Sequence, residues 1–198
     1  MLNEAVAALN EGKVVAAATE TFFGLLADVE NPRALDAVFR LKGRAAEKAS
    51  ALLLPSLEAW AALVWEIPPV AARLAEAFWP GPLTIALPAK PGLDPRLVLD
   101  GRVGVRLPSA SPAAEIVRAY GKPLTATSAN RTGEPAPVES SEVERVFAPA
   151  IAALELVVVP GRAPGGKPST IVVIEGGEVR VVREGAIARE KVERVARG

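Results

Sequence analysis

The sequence contains neither cysteine nor histidine among its 198 residues. The absence of cysteine excludes a disulfide framework, a thiol nucleophile and thiolate metal ligands. The absence of histidine excludes Ser-His-Asp catalysis and nearly every transition-metal site. Any chemistry that this protein performs must therefore depend on lysine, arginine, carboxylates, hydroxyls or the backbone.

Two further features are missing, namely a long apolar run and an excess of charge of one sign. No apolar stretch approaches the roughly 20 residues that a membrane helix needs. The first 13 residues carry two glutamates and no basic cluster, which is unlike a signal peptide. Lys and Arg total 23, as do Asp and Glu, so no general attraction to nucleic acid or acidic membranes is expected. We expect a cytoplasmic protein.

The hydrophobic pattern predicts a single α/β domain. Half of the residues are hydrophobic, which is enough to build a large core. Strands alternate with helices, and a hairpin with Gly176-Gly177 at its turn comes late, which is typical of a twisted mixed β-sheet with flanking helices. The predicted helices are 2–11, 31–43, 57–64, 69–78, 111–121, 141–147 and 188–198, and the predicted strands are 14–18, 51–54, 83–87, 103–107, 124–127, 156–159, 171–174 and 179–182. Residues 19–30 and 88–101 are predicted to be loops, and Ser141 and Glu144 a capping box.

Lys42-Gly43-Arg44 follows the helix that Asn31-Pro32 begins. Basic residues favour helix C-termini and glycine caps them, so these residues need no functional explanation. The functional alternative is that two cations on either side of a glycine converge on phosphates, with Arg44 binding bidentately and Lys42 acting as a point charge. Both interpretations remain open from the residues alone.

Ser128-Ala129-Asn130 comes directly after a predicted strand. Ligands of open α/β sheets bind at the edge where such strands end, and Ser and Asn can hydrogen-bond phosphate or ribose. The alternative is a polar turn with Asn130 in a left-handed conformation. Our hypothesis is that this segment and Lys42-Gly43-Arg44 together form an anion-binding site that uses a nucleotide.

Three other polar positions could face the same concave surface. Thr19-Glu20-Thr21 follows the first strand, and an exposed turn would also explain it. Arg106 lies inside an apolar strand, where a cation needs a partner or a ligand. Arg183 ends the last strand and could simply be exposed.

Residues Gly161 to Lys167 imitate the start of a phosphate-binding P-loop, with Gly166-Lys167 in the expected places. The next residue is Pro168, where a P-loop has Ser or Thr, and a β-branched strand follows where a P-loop needs a helix. We therefore interpret this segment as a glycine-rich loop without that function.

Taken in order, several segments resemble the YrdC-like family of threonylcarbamoyl-AMP synthases. The resemblance extends from about Leu2 to Ile187, and the pairing of Lys-x-Arg with Ser-x-Asn is its signature. The matching segments are Thr19-Glu20-Thr21-Phe22-Phe23-Gly24-Leu25, Lys42-Gly43-Arg44, Phe78-Trp79-Pro80-Gly81-Pro82-Leu83-Thr84, Val103-Gly104-Val105-Arg106-Leu107-Pro108, Ser128-Ala129-Asn130, Pro168-Ser169-Thr170 and Arg183-Glu184-Gly185.

The resemblance implies a YrdC-like catalytic domain at 1–187, with 188–198 as a helical tail of the same domain and a positively charged cavity. The implied reaction converts L-threonine, bicarbonate or CO2, and ATP into threonylcarbamoyl-AMP and pyrophosphate. That product serves threonylcarbamoyladenosine modification of tRNA through separate transfer proteins. The chain resembles the short family form, and Mg2+ is expected to arrive with ATP.

The resemblance also implies residue roles. Lys42 and Arg44 would be catalytic and hold the ATP phosphates, and Arg106 would pair with the threonine carboxylate. The remaining contacts would be Ser128, Asn130 and Arg183 to ATP, and Thr19 and Ser169 to threonine. The chain departs from the family pattern at Ala18, Phe23, Leu53 and Pro168, where other members have Pro, Tyr, His and Glu.

Two other functions fit the same cavity. One is an RNA-binding module for tRNA or double-stranded RNA, against which stand the zero net charge, the 5% aromatic content and the lack of a basic stripe. The other is a regulatory domain that binds nucleotide without turnover.

Overall fold

The computed structural model of the protein describes residues 1–43 and 50–198. Helices and strands alternate along most of the chain, and one short 3-10 helix lies at Pro95–Leu97. The helices are α1 Leu2–Asn10, α2 Pro32–Lys42, α3 Trp60–Leu63, α4 Pro69–Phe78, α5 Pro112–Tyr120, α6 Ser140–Ala152 and α7 Arg189–Arg197. The strands are β1 Val14–Ala18, β2 Phe23–Leu26, β3 Leu52–Leu53, β4 Leu83–Pro88, β5 Arg102–Arg106, β6 Leu124–Thr125, β7 Thr127–Ser128, β8 Leu156–Val158, β9 Thr170–Glu175 and β10 Glu178–Arg183.

The predicted class is confirmed, since this is a single-domain α/β fold with mixed sheets and flanking helices. The strands form two sheets instead of one. The four-stranded sheet has the order β7-β2-β1-β8, and the six-stranded sheet has the order β10-β9-β4-β5-β3-β6. Each combines parallel and antiparallel pairs, such as β1 with β8 and β1 with β2.

The strand predicted at 124–127 is in fact a crossing between the sheets. β6 pairs with β3 in the larger sheet, β7 pairs with β2 in the smaller one, and Ala126 lies between them. Thr125 ties the sheets together at this point, because its backbone N–H donates to Ala27 O at 2.9 Å and its hydroxyl donates to Leu25 O at 2.9 Å. The sequence of this segment, a run of β-branched and small residues, does not show that its two halves pair with different strands.

The prediction of a loop throughout 19–30 is wrong, because β2 lies inside it. All four residues of β2 are buried, and β2 pairs antiparallel with β1, with Ala17 opposite Gly24. A strand this short that is buried on both faces shows no alternation to distinguish it from an irregular apolar segment.

The ends of α2 and the late hairpin match their sequence signals. Asn31 accepts hydrogen bonds from the N–H groups of Arg33 and Ala34, and Gly43 adopts the left-handed conformation at the other end, with φ of 58°. The β9–β10 hairpin turns at Gly176-Gly177, and both glycines have positive φ as a tight primed turn requires.

The capping box of α6 is shifted from its predicted position. Glu139, rather than Ser141, is the N-cap, and the side chain of Glu142, rather than Glu144, accepts the Glu139 N–H at 2.9 Å. A glutamate replaces the usual short N-cap residue, and the sequence pattern therefore indicates the nearby serine instead.

The core consists of three buried clusters, and α7 belongs to the largest of them. Val192 of α7 is fully buried in that cluster, and Arg73 of α4 donates to Ala196 O at 2.8 Å near the helix end. Residues 189–197 are thus packed onto the same core as the six-stranded sheet. Within the described parts of the chain, no helix has the length and apolarity that crossing a membrane requires.

The packing of α7 leads to a stability prediction. Val192→Ala should lower the free energy of unfolding by about 2 kcal/mol, because two buried methyl groups are lost and a cavity remains. Arg194→Ala on the exposed face of α7 is the control and should stay within about 0.5 kcal/mol of the parent. Urea denaturation would measure both, and equal effects would show that α7 does not contribute to the core.

Candidate functional site

A cavity of about 720 Å³ is lined by both sheets. The four-stranded sheet contributes Gly24 and Ser128, and the six-stranded sheet contributes Arg106 and Ile171. Every predicted site residue that the structure describes lies on its wall, whereas Arg44 falls outside the described residues. The predicted residues that line the cavity are Thr19, Lys42, Arg106, Ser128, Asn130, Ser169 and Arg183.

Lys42 is the last residue of α2, and its side chain turns inward instead of into solvent. The residue is only 5% exposed. Its Nζ donates to Ser128 O at 2.6 Å and to Asn130 Oδ1 at 3.2 Å, and lies 3.4 Å from Ser128 Oγ. The helix-cap interpretation holds for Gly43, but it does not explain the buried ammonium group. The structure therefore brings together the two segments that the sequence pattern paired.

The segment after β7 wraps around this end of α2. Asn130 Nδ2 donates to Arg131 O at 3.0 Å and to Glu134 O at 2.6 Å. Thr132 donates to Lys42 O from its N–H at 3.0 Å and from its hydroxyl at 3.1 Å. Thr132 was not predicted as a site residue, although it also lines the cavity. The backbone of α2 and the ammonium group of Lys42 are thus held by the same short segment.

Arg106 has the partner that its apolar strand requires, namely Glu20. Arg106 Nη1 lies 3.1 Å from Glu20 Oε1, and both side chains are at least nine-tenths buried. Burial lowers the pKa of Arg106, and the charge of Glu20 opposes that effect. Glu20 was not predicted as a site residue. Two sequence signals could have paired it with Arg106, namely an arginine inside an apolar strand and a carboxylate within a polar motif.

Arg183 lies next to Ser169 on the same wall. Its Nη2 donates to Ser169 O at 2.7 Å and to Ser169 Oγ at 3.0 Å. Thr84 of β4 supports this contact, since its hydroxyl is 3.2 Å from Ser169 Oγ. Desolvation lowers the pKa of Arg183, and the positive charge of Arg106 lowers it further. The two arginines are therefore close enough for the charge of Arg106 to act on the pKa of Arg183.

The contact between Arg183 and Ser169 depends on a close backbone approach at Gly185. Gly185 N–H donates to Thr170 Oγ1 at 2.9 Å, and Ala186 N–H donates to Pro168 O at 2.8 Å. A Cβ on Gly185 would overlap the Pro168 carbonyl oxygen and the backbone of Ser169. Only glycine allows the turn after β10 to pack this closely on the start of β9.

Thr19 forms a tight polar turn at the end of β1. Its hydroxyl lies 3.0 Å from Thr21 Oγ1 and donates to Phe22 O at 2.8 Å. The turn is buried, so the interpretation as an exposed turn is wrong. Thr19, Thr21 and Phe22 of this turn line the cavity.

The positions that depart from the family pattern have different environments. Phe23 and Pro168 line the cavity, whereas Leu53 is fully buried in a core cluster. Ala18 is buried at the end of β1. Only Phe23 and Pro168 therefore change groups that a ligand could contact directly.

The segment from Gly161 to Lys167 leads into β9 and not into a helix. Lys167 is exposed and is not among the described residues that line the cavity. The prediction that this segment is not a P-loop is confirmed.

The described wall of the cavity contains three cationic side chains, Lys42, Arg106 and Arg183, together with several hydroxyls. No Asp or Glu is among the described lining residues. Such a site favours a small, multiply charged anion, because positive charges fixed in a partly desolvated cavity interact strongly with it. The fold and site define an α/β protein with a concave site between two mixed sheets, whose described wall carries three cationic side chains.

The particular family follows from comparison with known proteins. The model of the Sua5/YciO/YrdC family, described as telomere recombination, matches residues 7–185. The chain therefore belongs to the Sua5/YciO/YrdC family, and the resemblance inferred from its motifs is confirmed.

Individual relatives agree with this assignment. The chain is 34% identical over 189 residues to the threonylcarbamoyl-AMP synthase of Pyrococcus abyssi, which covers 94% of this chain and 54% of that protein. It is 36% identical over 189 residues to the threonylcarbamoyl-AMP synthase of Vibrio cholerae, which covers 93% and 97% of the two chains. The crystal structure of Pyrococcus abyssi Sua5 complexed with L-threonine matches with a TM-score of 0.90 at 31% identity, covering 98% of this chain and 56% of that one. This chain thus spans about half the length of its Pyrococcus relative.

The buried ion pair generates the first site prediction. Glu20→Ala should lower the free energy of unfolding by about 3–5 kcal/mol, because Arg106 would keep a buried charge without its carboxylate. Arg40→Ala, which breaks the exposed pair of Arg40 with Glu155, is the control and should cost no more than about 1 kcal/mol. Urea denaturation would compare the two variants. Similar losses would mean that the Glu20–Arg106 pair is no more important than a surface pair.

The close backbone approach at Gly185 generates the second site prediction. Gly185→Ala should lower the free energy of unfolding by about 2 kcal/mol or more, because the new methyl group overlaps backbone that cannot move aside. Gly24→Ala is the matched control, since its Cβ would make ordinary contacts of 3.5 and 3.6 Å. Thermal denaturation would rank the two, and a Gly24→Ala variant less stable than Gly185→Ala would contradict the packing described here.

Proposed function

We propose that this chain is an L-threonylcarbamoyladenylate synthase that uses L-threonine, bicarbonate or CO2, and ATP. The observation that carries the proposal is that the Lys42–Ser128–Asn130 cluster and the Arg106–Ser169–Arg183 cluster line the same cavity. A reaction between a carboxylate-bearing amino acid and a nucleoside triphosphate needs two anion-binding regions within one enclosed site. The names of the relatives, and the threonine complex of the Pyrococcus protein, support the same reaction.

In this proposal the threonine side of the site is the wall that contains Arg106. Arg106 pairs with the threonine carboxylate, while Thr19 and Ser169 provide hydroxyl contacts. Glu20 keeps the guanidinium group of Arg106 in place from behind, because it is buried and is not a cavity-lining residue. The threonine amine reacts with CO2, loses a proton and becomes a carbamate.

The nucleotide side is the wall that contains Lys42, Ser128 and Asn130, and Arg183 contacts ATP from the opposite wall. Arg44 belongs to the nucleotide side by its place in the sequence motif. A carbamate oxygen attacks the α-phosphorus of ATP, the new P–O bond forms, and the bond to pyrophosphate breaks. Lys42, Arg44 and Arg183 neutralise the negative charge that accumulates on the phosphate oxygens. This chemistry needs positioning and charge neutralisation more than a general base, so a protein without histidine can perform it.

The described residues do not offer a dedicated magnesium site. No group of three or more carboxylate or other metal-ligating side chains among them could hold a metal ion. Mg2+ therefore belongs to the proposal only as part of the substrate Mg–ATP, held by phosphate oxygens and water.

The proposal includes the downstream partners. Threonylcarbamoyl-AMP would pass to separate proteins that modify tRNA, in the cytoplasm where ATP and tRNA are present. Direct RNA binding through the cavity is the less favoured function, because the three described cations converge in a concave site instead of forming a stripe that could follow a phosphate backbone. We retain 1–187 as the catalytic domain, with 188–198 as its packed tail.

The product of the reaction provides the test. Purified protein with Mg–ATP, L-threonine and bicarbonate should release pyrophosphate, and mass spectrometry should detect threonylcarbamoyl-AMP only when all three substrates are present. Lys42→Ala should lower the rate by about 100-fold or more, since it removes a buried charge from the phosphate site. Lys167→Ala is the matched lysine control and should keep the parent rate, because Lys167 lies outside the cavity lining.

Three results would count against the proposal. The absence of product from folded protein would leave nucleotide binding without turnover, or RNA binding, as the function. Loss of activity in Lys167→Ala but not in Lys42→Ala would move the phosphate site to the glycine-rich loop. A steep salt dependence of tight tRNA binding would favour the RNA-binding alternative.

A further inference from the structure

The hydroxyl of Thr84 lies behind the cavity wall that carries Ser169. Thr84 belongs to β4 and is only 2% exposed, whereas Ser169 is half-buried and lines the cavity. Their side-chain oxygens are 3.2 Å apart. The methyl group of Thr84 faces Gly104 of β5, where an added Cβ would come within 3.2 Å of it. The bare backbone of Gly104 therefore leaves room for the methyl group while the hydroxyl reaches Ser169.

The direction of this hydrogen bond follows from the other partners of the two hydroxyls. A serine or threonine hydroxyl has one proton to donate and two lone pairs that can accept. Arg183 can only donate, so its bond from Nη2 at 3.0 Å occupies one lone pair of Ser169 Oγ. Within the described parts of the chain, Ser169 Oγ is the only hydrogen-bond partner of the Thr84 hydroxyl.

Only one arrangement leaves no buried proton without an acceptor. If Ser169 donated to Thr84, the proton of the buried Thr84 hydroxyl would have nowhere to go, which is costly. If Thr84 donates to Ser169, its proton fills the second lone pair of Ser169 Oγ. The single proton of Ser169 is then left for the cavity, and Ser169 Oγ has no lone pair with which to accept a bond from a ligand.

A hydroxyl that donates but does not accept suits an acceptor oxygen, and its neighbours favour a charged one. Arg183 contacts Ser169 directly, and Arg106 is close enough for its charge to lower the pKa of Arg183. A carboxylate oxygen offers both lone pairs and negative charge to these groups. An ammonium or hydroxyl group of an amino acid would instead have to donate to an oxygen whose lone pairs are already used.

We infer that Thr84 is a positioning residue that holds the Ser169 hydroxyl as a donor, so that Ser169 binds the carboxylate of threonine and accepts no bond from its hydroxyl or amine. This inference rests on the proposed function, because it takes threonine as the ligand of this wall. Thr84 does not itself line the cavity. Its removal should therefore matter only as long as the Ser169 hydroxyl is present to be oriented.

A double-mutant cycle tests this dependence. Calorimetry would measure the affinity for L-threonine of the parent, Thr84→Val, Ser169→Ala and the double variant. We expect Ser169→Ala to weaken binding by about tenfold and Thr84→Val, which replaces the hydroxyl by a methyl group of similar size, by about fivefold. The double variant should bind within about twofold of Ser169→Ala alone, because residues that act through one contact are not additive.

The conservative variant provides a rescue. Thr84→Ser keeps the hydroxyl and should bind L-threonine within about twofold of the parent. If Thr84→Val does not fold, Thr84→Ala takes its place, because Thr84→Ser and Thr84→Ala differ only in the hydroxyl group.

A second ligand tests the direction of the bond at Ser169. L-2-Aminobutyrate has the carboxylate and amine of threonine but lacks its hydroxyl. If Ser169 donates to the carboxylate, Ser169→Ala should weaken the binding of L-threonine and of L-2-aminobutyrate by the same factor. Competition with L-threonine would give the affinity of the analogue.

Tyr120→Phe separates positioning from a general loss of stability. It also removes one hydroxyl, which donates to Asp28 Oδ2 at 2.8 Å outside the cavity lining. It should lower the thermal midpoint and leave the affinity for L-threonine unchanged. Thr84→Val should in turn keep the parent affinity for the magnesium complex of α,β-methylene-ATP within about twofold, because Thr84 acts on the threonine contact.

The outcomes are distinct. Equal weakening by Thr84→Val with and without the Ser169 hydroxyl, or no weakening at all, would overturn the positioning role. A Ser169→Ala effect that disappears with L-2-aminobutyrate would show that Ser169 accepts from the threonine hydroxyl, which would overturn the donor assignment. A folded parent protein that does not bind L-threonine would instead overturn the proposed function, on which the inference rests.

Discussion

The buried ammonium group of Lys42 is the interaction on which the site depends. A charge that is only 5% exposed must be matched by acceptors, and Ser128 O and Asn130 Oδ1 supply them. These contacts join the end of α2 to the end of β7, which are 86 residues apart in sequence. In this chain the Lys-x-Arg motif supplies the buried cation, and the Ser-x-Asn motif supplies acceptors for it.

The opposite wall repeats this principle with different groups. Arg106 has its carboxylate in Glu20, whereas Arg183 is held by the carbonyl and hydroxyl oxygens of Ser169. The buried hydroxyl of Thr170 and the bare backbone of Gly185 bring these elements together. The cationic side chains of this wall are therefore held in place by oxygen atoms of the protein, from Glu20 for Arg106 and from Ser169 for Arg183.

Much of the fold and of the candidate site could be predicted from the sequence. The parts that could not be predicted were missed for physical reasons. The limits of α2 and the Gly176-Gly177 turn have local chemical signals, and local signals are reliable. β2 was missed because a short strand that is buried on both faces shows no hydrophobic periodicity. The split at Ala126 was missed because the strands that pair with β6 and β7 are distant in sequence. Arg106 indicated that a partner exists, but only the fold shows that the partner is Glu20. Each predicted site residue that lines the cavity was found as part of a motif or a strand pattern, whereas Thr132 and the bonds of Asn130 to the turn at 131–134 were missed because they depend on the folded chain.

The crossing at Ala126 has a mechanical consequence. Residues 124–128 pair with strands of both sheets, and Thr125 bonds across to Ala27 and Leu25. The two walls of the cavity are therefore connected by a continuous, hydrogen-bonded segment. A large change in the distance between them would have to break the bonds of Thr125 to Ala27 and Leu25 or bend the chain at Ala126.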